Sequence, residues 1–159
     1  MRYNSPLGTL HIQAESGYVT ALRFCDCIDC DEPGCEAEAA AAAWLDAYFS
    51  GAPLPPIPPL NPAGGSEFQR RVWKYLLEIP IGSTASYGQI AAHLGSSARA
   101  VGQAAGANPV AIIIPCHRVV AAGGKLGGYA YGKAIKQALL NLEATHVPFG
   151  VRKETEEKK

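Results

Sequence analysis

No stretch of the 159 residues approaches 18 consecutive apolar positions, so a helical membrane span is excluded. The first ten residues hold no secretory h-region, and a cytoplasmic location is expected. No internal repeat is visible, which argues against a stacked-repeat architecture. Net charge is also absent: fourteen basic residues face fourteen acidic ones. That zero conceals a split. Residues 1–65 carry two basic residues (Arg2 and Arg23) and eight acidic ones, a balance of −6, and residues 66–159 carry +6. Opposed halves hint at nucleic-acid contact. The hint is a weak one, because many of the later charges crowd into the tail 151–159, which reads as a solvated, frayed end.

What is present is enough apolar material for a core. Hydrophobic residues make up 48% of the chain, and its length suits one domain or a small two-part unit. Leu10, Ile12 and Ala14 alternate with His11 and Gln13; Glu15-Ser16-Gly17 turns the chain and residues 19–24 run back, which predicts a β-hairpin. Residues 36–49 place Ala37, Ala40, Ala41, Trp44, Leu45, Tyr48 and Phe49 at helical spacing, closed by Gly51. Six prolines in residues 53–62 forbid helix or central strand and predict an extended connector. Ser66-Glu67-Phe68-Gln69 and Ser86-Tyr87-Gly88-Gln89 are capping boxes that start two helices. Ser97 caps a third, which stops at Asn108-Pro109. Two short helices joined around Gly95 form the pattern of a helix-turn-helix. An apolar run over 110–120 is broken by Pro115-Cys116-His117-Arg118; a glycine-rich loop and a last helix near 133–143 follow. The expected boundaries are an α/β domain over 1–52, a connector over 53–65, a second domain over 66–150 and a tail over 151–159.

Four of the five cysteines crowd together as Cys25, Cys27, Cys30 and Cys35, a spacing that could hold Zn²⁺. A hydrophilic loop with incidental thiols is the favoured reading, and no metal site is expected. Cys116 stands alone. A single cysteine in an apolar run is ordinarily a small core residue, but polar His117 and Arg118 interrupt this run and need partners. A nucleophilic cysteine needs thiolate character, which a base oriented by a carboxylate supplies. Glu143 is a candidate for that carboxylate. It ends a helix where the macrodipole disfavours an anion, and it leans to the side of Ile135 and Leu139. A solvated end-of-helix glutamate is the ordinary alternative. The third helix offers mostly small residues on its outer face (Ala98, Gly102, Ala105, Gly106), with only Arg99 and Gln103 able to reach bases. Such a helix suits close, shape-directed or minor-groove contact rather than sequence reading; an alanine-rich helix buried in the core is the alternative.

The run Arg99-Ala100-Val101-Gly102, Asn108-Pro109 and Ile114-Pro115-Cys116-His117-Arg118-Val119-Val120 resembles the signature of the O6-alkylguanine-DNA alkyltransferase family. The likeness extends through Gly128-Tyr129-Ala130-Tyr131-Gly132, Lys136, Leu139-Leu140 and Glu143, and upstream through Ser86-Tyr87-Gly88 and Ser5-Pro6-Leu7-Gly8. It implies an α/β N-terminal domain, with a small antiparallel sheet and a helix in a ribonuclease-H-like arrangement. The C-terminal alkyltransferase and DNA-binding domain would be mostly helical, with a winged-helix-like helix-turn-helix. It further implies that Cys116 accepts an alkyl group from O6-alkylguanine irreversibly, with O4-alkylthymine a candidate second substrate, and that no cofactor is required. His117 would take the thiol proton through a water, Glu143 would orient His117, and Asn108 would brace the turn. Arg99 would fill the place of the flipped nucleotide, with Ala98, Gly102 and Gln103 against the minor groove. Tyr87, the carbonyls of Cys116 and Val119, the Ala130 amide, Tyr129, Tyr131 and Lys136 would surround the base. The implied partner is double-stranded DNA, met by a monomer without a membrane.

Three other readings compete, and one of them, a thiol hydrolase using Cys116, His117 and Glu143, would need an oxyanion site and turnover and leaves Arg99 and the helix-turn-helix unexplained. A lesion-binding relative without transfer activity would carry tryptophan in place of Cys116. An alkylation sensor would need an effector domain that this sequence does not display.

Overall fold

The computed structural model describes residues 1–25 and 34–146, and the chain divides into two compact units. The first comprises residues 1–64 together with the short segment Pro109–Ile113. Strands β1 (Arg2–Ser5), β2 (Gly8–Glu15) and β3 (Tyr18–Phe24) form an antiparallel sheet in that order, with Ile12 opposite Leu22 and a bulge at Gln13/Ala14. Leu10 and Ile12 are buried as the alternation predicts, whereas Ala14, at the bulge, is half-buried; on β3 Val19, Ala21 and Leu22 are buried. β1 is not announced by the sequence. Its four residues are mostly polar and only half-buried, so they give no period-two apolar signal.

Helix α1 (Glu36–Ser50) buries Ala37, Ala41, Trp44, Leu45 and Tyr48, and Gly51 closes it in the left-handed region. Ala40 is exposed and Phe49 half-buried, so the inward stripe is narrower than the spacing predicts. The proline-rich stretch is more than a spacer. Val19 donates to the Pro59 carbonyl and accepts from the Asn61 amide, at 2.8 and 2.9 Å. The Pro109–Ile113 segment does the same further along, with Leu22 bonded to Pro109 and Ala111. Prolines fit such an edge because only their carbonyls are used. Cys25 is partly exposed and Cys35 exposed, both as free thiols. Cys27 and Cys30 lie outside the described residues, and so does the question of their metal binding. Among the described residues no group of three or more His, Cys, Asp or Glu could hold a metal ion, and no helix is long and apolar enough to cross a membrane.

The second unit comprises Gly65–Asn108 and the chain from Ile114 onward. Helices α2 (Glu67–Leu76) and α3 (Tyr87–Leu94) begin at the two predicted capping boxes, with Ser66 and Ser86 accepting from the amides of Gln69 and Gln89. Gly95 ends α3, and Ser97 caps α4 (Ala98–Gly106), which completes the helix-turn-helix. The two-residue strands β4 (Ala85–Ser86) and β5 (Val119–Val120) pair in parallel. This pairing brings the start of α3 beside the Cys116 turn. Helix α5 (Lys133–His146) runs past Glu143, which therefore lies inside its last turn.

Trp73 anchors α2 to α4 by donating its indole N–H to the Ala104 carbonyl at 2.8 Å. Gly65 lies against that ring at φ +91°, and a Cβ there would come within 2.5 and 2.7 Å of it. The indole bond keeps the ring from swinging aside. Left-handed strain and overpacking together make Gly65→Ala cost about 2–4 kcal/mol, read as a drop in unfolding free energy in urea. A loss below about 0.5 kcal/mol would show that the ring yields freely.

Candidate active site

The site is built on a tight reversal. Pro115 (φ −83°, ψ 66°) sits at the centre of an inverse γ-turn closed by the Cys116 amide on the Ile114 carbonyl at 2.8 Å. The Asn108 amide group donates to the same carbonyl at 2.8 Å, so one oxygen ties both ends of the turn to the end of α4. Cys116–Arg118 then form a 3₁₀ turn that leads into β5. The apolar run is thus not one strand, and the rule that neighbours on a strand point apart does not apply to Cys116 and His117.

Cys116 opens into a cavity of about 240 Å³. Tyr87 from α3 and Gly102, Ala105 and Gly106 from α4 form one side; Gly128, Tyr129 and Ala130 of the loop before α5 form the other. Tyr87 comes close to that loop because Gly127, at φ +74°, has no side chain: a Cβ there would stand 3.2 Å from the Tyr87 ring. Tyr131 is not in the lining. Its ring meets Tyr129 edge-on at 5.6 Å and so bears on the cavity through that neighbour. A larger cavity, about 350 Å³ between Tyr75, Glu78, Thr84 and His93, contains no cysteine.

Beside the cavity, His117 (0% exposed) and Glu143 (1% exposed) meet at 2.5 Å through Nε2 and Oε2. Arg118 donates Nε to Glu143 Oε1 at 2.8 Å and Nη2 to Oε2 at 3.1 Å, and its Nη1 reaches the Ile79 carbonyl at 2.7 Å. Burial alone would push the Glu143 carboxyl up. The hydrogen bonds of His117 and Arg118, together with the charge of the Arg118 guanidinium, override it and hold the carboxyl well below the usual carboxylate range. For His117 the balance is reversed, since burial outweighs the pull of Glu143 and keeps the imidazole neutral. A neutral ring facing an ionised carboxylate carries its proton on Nε2. Nδ1 is then a buried lone pair with no hydrogen-bond partner among the described residues.

The thiol of Cys116 is pushed up by burial, against the opposing hydrogen bond of Asn108 and the charge of Lys136. The resting sulfur is therefore protonated, and attack requires a base. Lys136 is fully buried, donating to the carbonyls of Val119 (2.6 Å) and Gly128 (3.0 Å), and burial lowers its pKa to about 8. The Tyr87 hydroxyl bonds the same Gly128 carbonyl at 3.5 Å, and its ring centre lies 5.8 Å from the Lys136 ammonium. On α4, Val101, Ala104 and Ala105 face inward, whereas Ala98, Arg99 and Gln103 are exposed and Gly102 is half-exposed.

The structure thus gathers Cys116, Tyr87, Gly102, Tyr129 and Ala130 around one cavity, with Asn108, His117, Glu143, Val119 and Lys136 bonded behind them. Arg99, Ala98 and Gln103 lie apart, on the outer face of α4. Sequence reasoning assigned no role to Arg118. Its signal was available, because an arginine in an apolar run needs a buried acid and Glu143 was the carboxylate already singled out.

Sequence profiles of the 6-O-methylguanine DNA methyltransferase ribonuclease-like domain and DNA binding domain match residues 2–60 and 67–145. The methylated-DNA–protein-cysteine methyltransferase of Mycolicibacterium paratuberculosis is 46% identical over 154 residues, covering 91% of this chain and 92% of that protein. The protein of the same name from Saccharolobus islandicus is 40% identical, covering 92% and 95%. The crystal structure of Mycobacterium tuberculosis OGT in complex with DNA superposes with a TM-score of 0.81 at 42% identity, covering 95% of this chain and 96% of that one.

The depressed carboxyl of Glu143 makes stability depend on acid. Its stabilisation is complete above the unfolded value of 4.5 and is lost as pH falls through the lower value of the folded state. The stability gap between the wild type and Glu143→Gln should shrink by at least about 1 kcal/mol from pH 6 to pH 2 in urea titrations. A gap independent of pH would mean that Glu143 carries no charge in the folded protein.

Proposed function

The chain belongs to the 6-O-methylguanine DNA methyltransferase family, and on that premise we propose that it repairs DNA by direct reversal, taking the alkyl group of an O6-alkylguanine onto Cys116 and keeping it. The observation that carries this reading is a thiol opening into a small cavity walled by a helix-turn-helix, backed by a buried histidine whose Nδ1 has no hydrogen-bond partner among the described residues.

The chemistry follows from the proton inventory. His117 Nδ1 draws the thiol proton through a water molecule, and the thiolate attacks the alkyl carbon in line. The S–C bond forms as the C–O6 bond breaks, and guanine leaves with the proton returned to its ring. A thioether has no easy reverse path, so each molecule acts once, without a cofactor. Asn108 braces the turn. The target atom is hidden in the duplex, so the base is flipped out, with Arg99 filling its place and Ala98, Gly102 and Gln103 against the minor groove. Tyr87, the Cys116 and Val119 carbonyls, the Ala130 amide and Tyr129 surround the base, with Lys136 holding the Val119 carbonyl and Tyr131 bracing Tyr129. The protein works as a monomer on double-stranded DNA in the cytoplasm. O4-alkylthymine is a second candidate substrate.

Mixed with duplex DNA containing O6-methylguanine, the protein should gain one methyl group, located by peptide mass spectrometry on Cys116. Cys116→Ala should bind the DNA and gain none. Methyl found on Cys25, Cys27, Cys30 or Cys35 instead would rule the assignment out. It also separates repair from lesion binding alone, which adds no mass.

Arg99 is tested by comparing two substrates. Arg99→Ala should slow repair in duplex DNA at least tenfold more than attack on free O6-benzylguanine, which needs no extrusion. Equal losses on both would count against a flipping role. Duplex binding should weaken with salt and vary little with sequence.

A further inference from the structure

We propose that Arg118 is a positioning residue for the transfer: by occupying both oxygens of the Glu143 carboxylate it leaves His117 as a neutral base rather than a buried imidazolium. The inference rests on the reading of His117 as the base that serves Cys116.

Charge balance within a buried cluster decides the protonation of His117. Glu143 accepts from Arg118 at both oxygens and from His117 at one. Arginine remains protonated at any pH the protein meets, so Arg118 and Glu143 already sum to zero. A proton on His117 would then leave a net positive charge buried among the three, which is costly. Lys136, on the same helix as Glu143, adds a second positive charge that works in the same direction. Remove Arg118 and the neutral arrangement changes. Glu143 would then be balanced by an imidazolium, Nδ1 would carry a proton, and the lone pair that accepts from the thiol side would be gone. Among the described residues, the charged groups that act on His117 are Glu143 and Lys136 from α5 and Arg118 from its own turn, with the Cys116 thiol next to it in the chain. Of these, Arg118 is the permanent cation bonded to the same carboxylate. The third bond of Arg118, to the Ile79 carbonyl, fixes the guanidinium from the opposite side, so the fork cannot rotate away.

The test combines ¹⁵N NMR titration of the His117 ring in the unreacted protein with single-turnover methyl transfer from O6-methylguanine duplex between pH 5.5 and 8.5. In the wild type the ring should be neutral, with its proton on Nε2, even at pH 5.5. In Arg118→Met the imidazolium should persist at least one pH unit higher than in the wild type. Its transfer rate should fall at least tenfold more between pH 8.5 and 5.5 than the wild-type rate does. Arg118→Lys, which keeps the charge, should restore most of the wild-type pH profile at a lower absolute rate. A merely structural arginine would lower rates equally at every pH, and that result would overturn the proposal. An imidazolium in the wild type at pH 5.5 would overturn it too, whether or not the methionine variant folds. If the wild type adds no methyl to Cys116, the base reading fails; a normal adduct with an unchanged pH profile in Arg118→Met fails the Arg118 role alone.

Discussion

One buried carboxylate, Glu143, accepts hydrogen bonds from two consecutive residues, His117 and Arg118. That requirement shapes the backbone around Cys116. On a strand, neighbouring side chains point to opposite faces, so an extended Cys-His-Arg segment could not present both residues to one acceptor. A 3₁₀ turn can, and residues 116–118 adopt one. The inverse γ-turn at Pro115 and the Asn108 bond to Ile114 hold the approach to that turn in place. The long side chain of Arg118 then spans from Glu143 to the Ile79 carbonyl, joining α5 to the chain just after α2.

The same burial that makes the cluster rigid sets its reactivity. A protonated thiol is a poor nucleophile toward chance electrophiles, and burial keeps Cys116 in that state. Reaction therefore waits for a proton acceptor, and on the proposed reading that acceptor is the neutral His117, whose Nδ1 has no hydrogen-bond partner among the described residues. Lys136 contributes differently. Its ammonium is tied to two carbonyls, Val119 on β5 and Gly128 on the loop before α5, and its positive charge favours the thiolate.

Much of this was legible in the sequence because the signals are local. The capping boxes at Ser66 and Ser86, the Ser97 cap and the Gly95 stop each name a helix end through residues three or four apart, and the structure places the helices there. The hairpin was legible from its alternation. What was not legible depends on partners far apart in the chain. Pro59 and Pro109 complete the edge of β3 through bonds that leave no periodic trace. β1 is polar, and its pairing with β2 is not written in its own residues. Arg118 lies 25 residues from Glu143, and only three-dimensional proximity explains why an arginine is tolerated in an apolar run.

Helix α4 shows how one composition serves two surfaces. Its poverty of large side chains read first as a way to approach DNA closely without reading bases. The structure adds a second demand, because Gly102, Ala105 and Gly106 form a wall of the cavity that holds Cys116. Larger residues at these positions would fill that cavity. Val101 and Ala104 meanwhile pack inward, and the Ala104 carbonyl takes the Trp73 indole bond. Nine residues are thus divided among core, cavity and outer face, and the outer share leaves Arg99 and Gln103 as the long polar side chains exposed on the helix. On the proposed reading, a helix of this make-up cannot select a sequence, which suits a protein whose target is a lesion that can arise at any guanine.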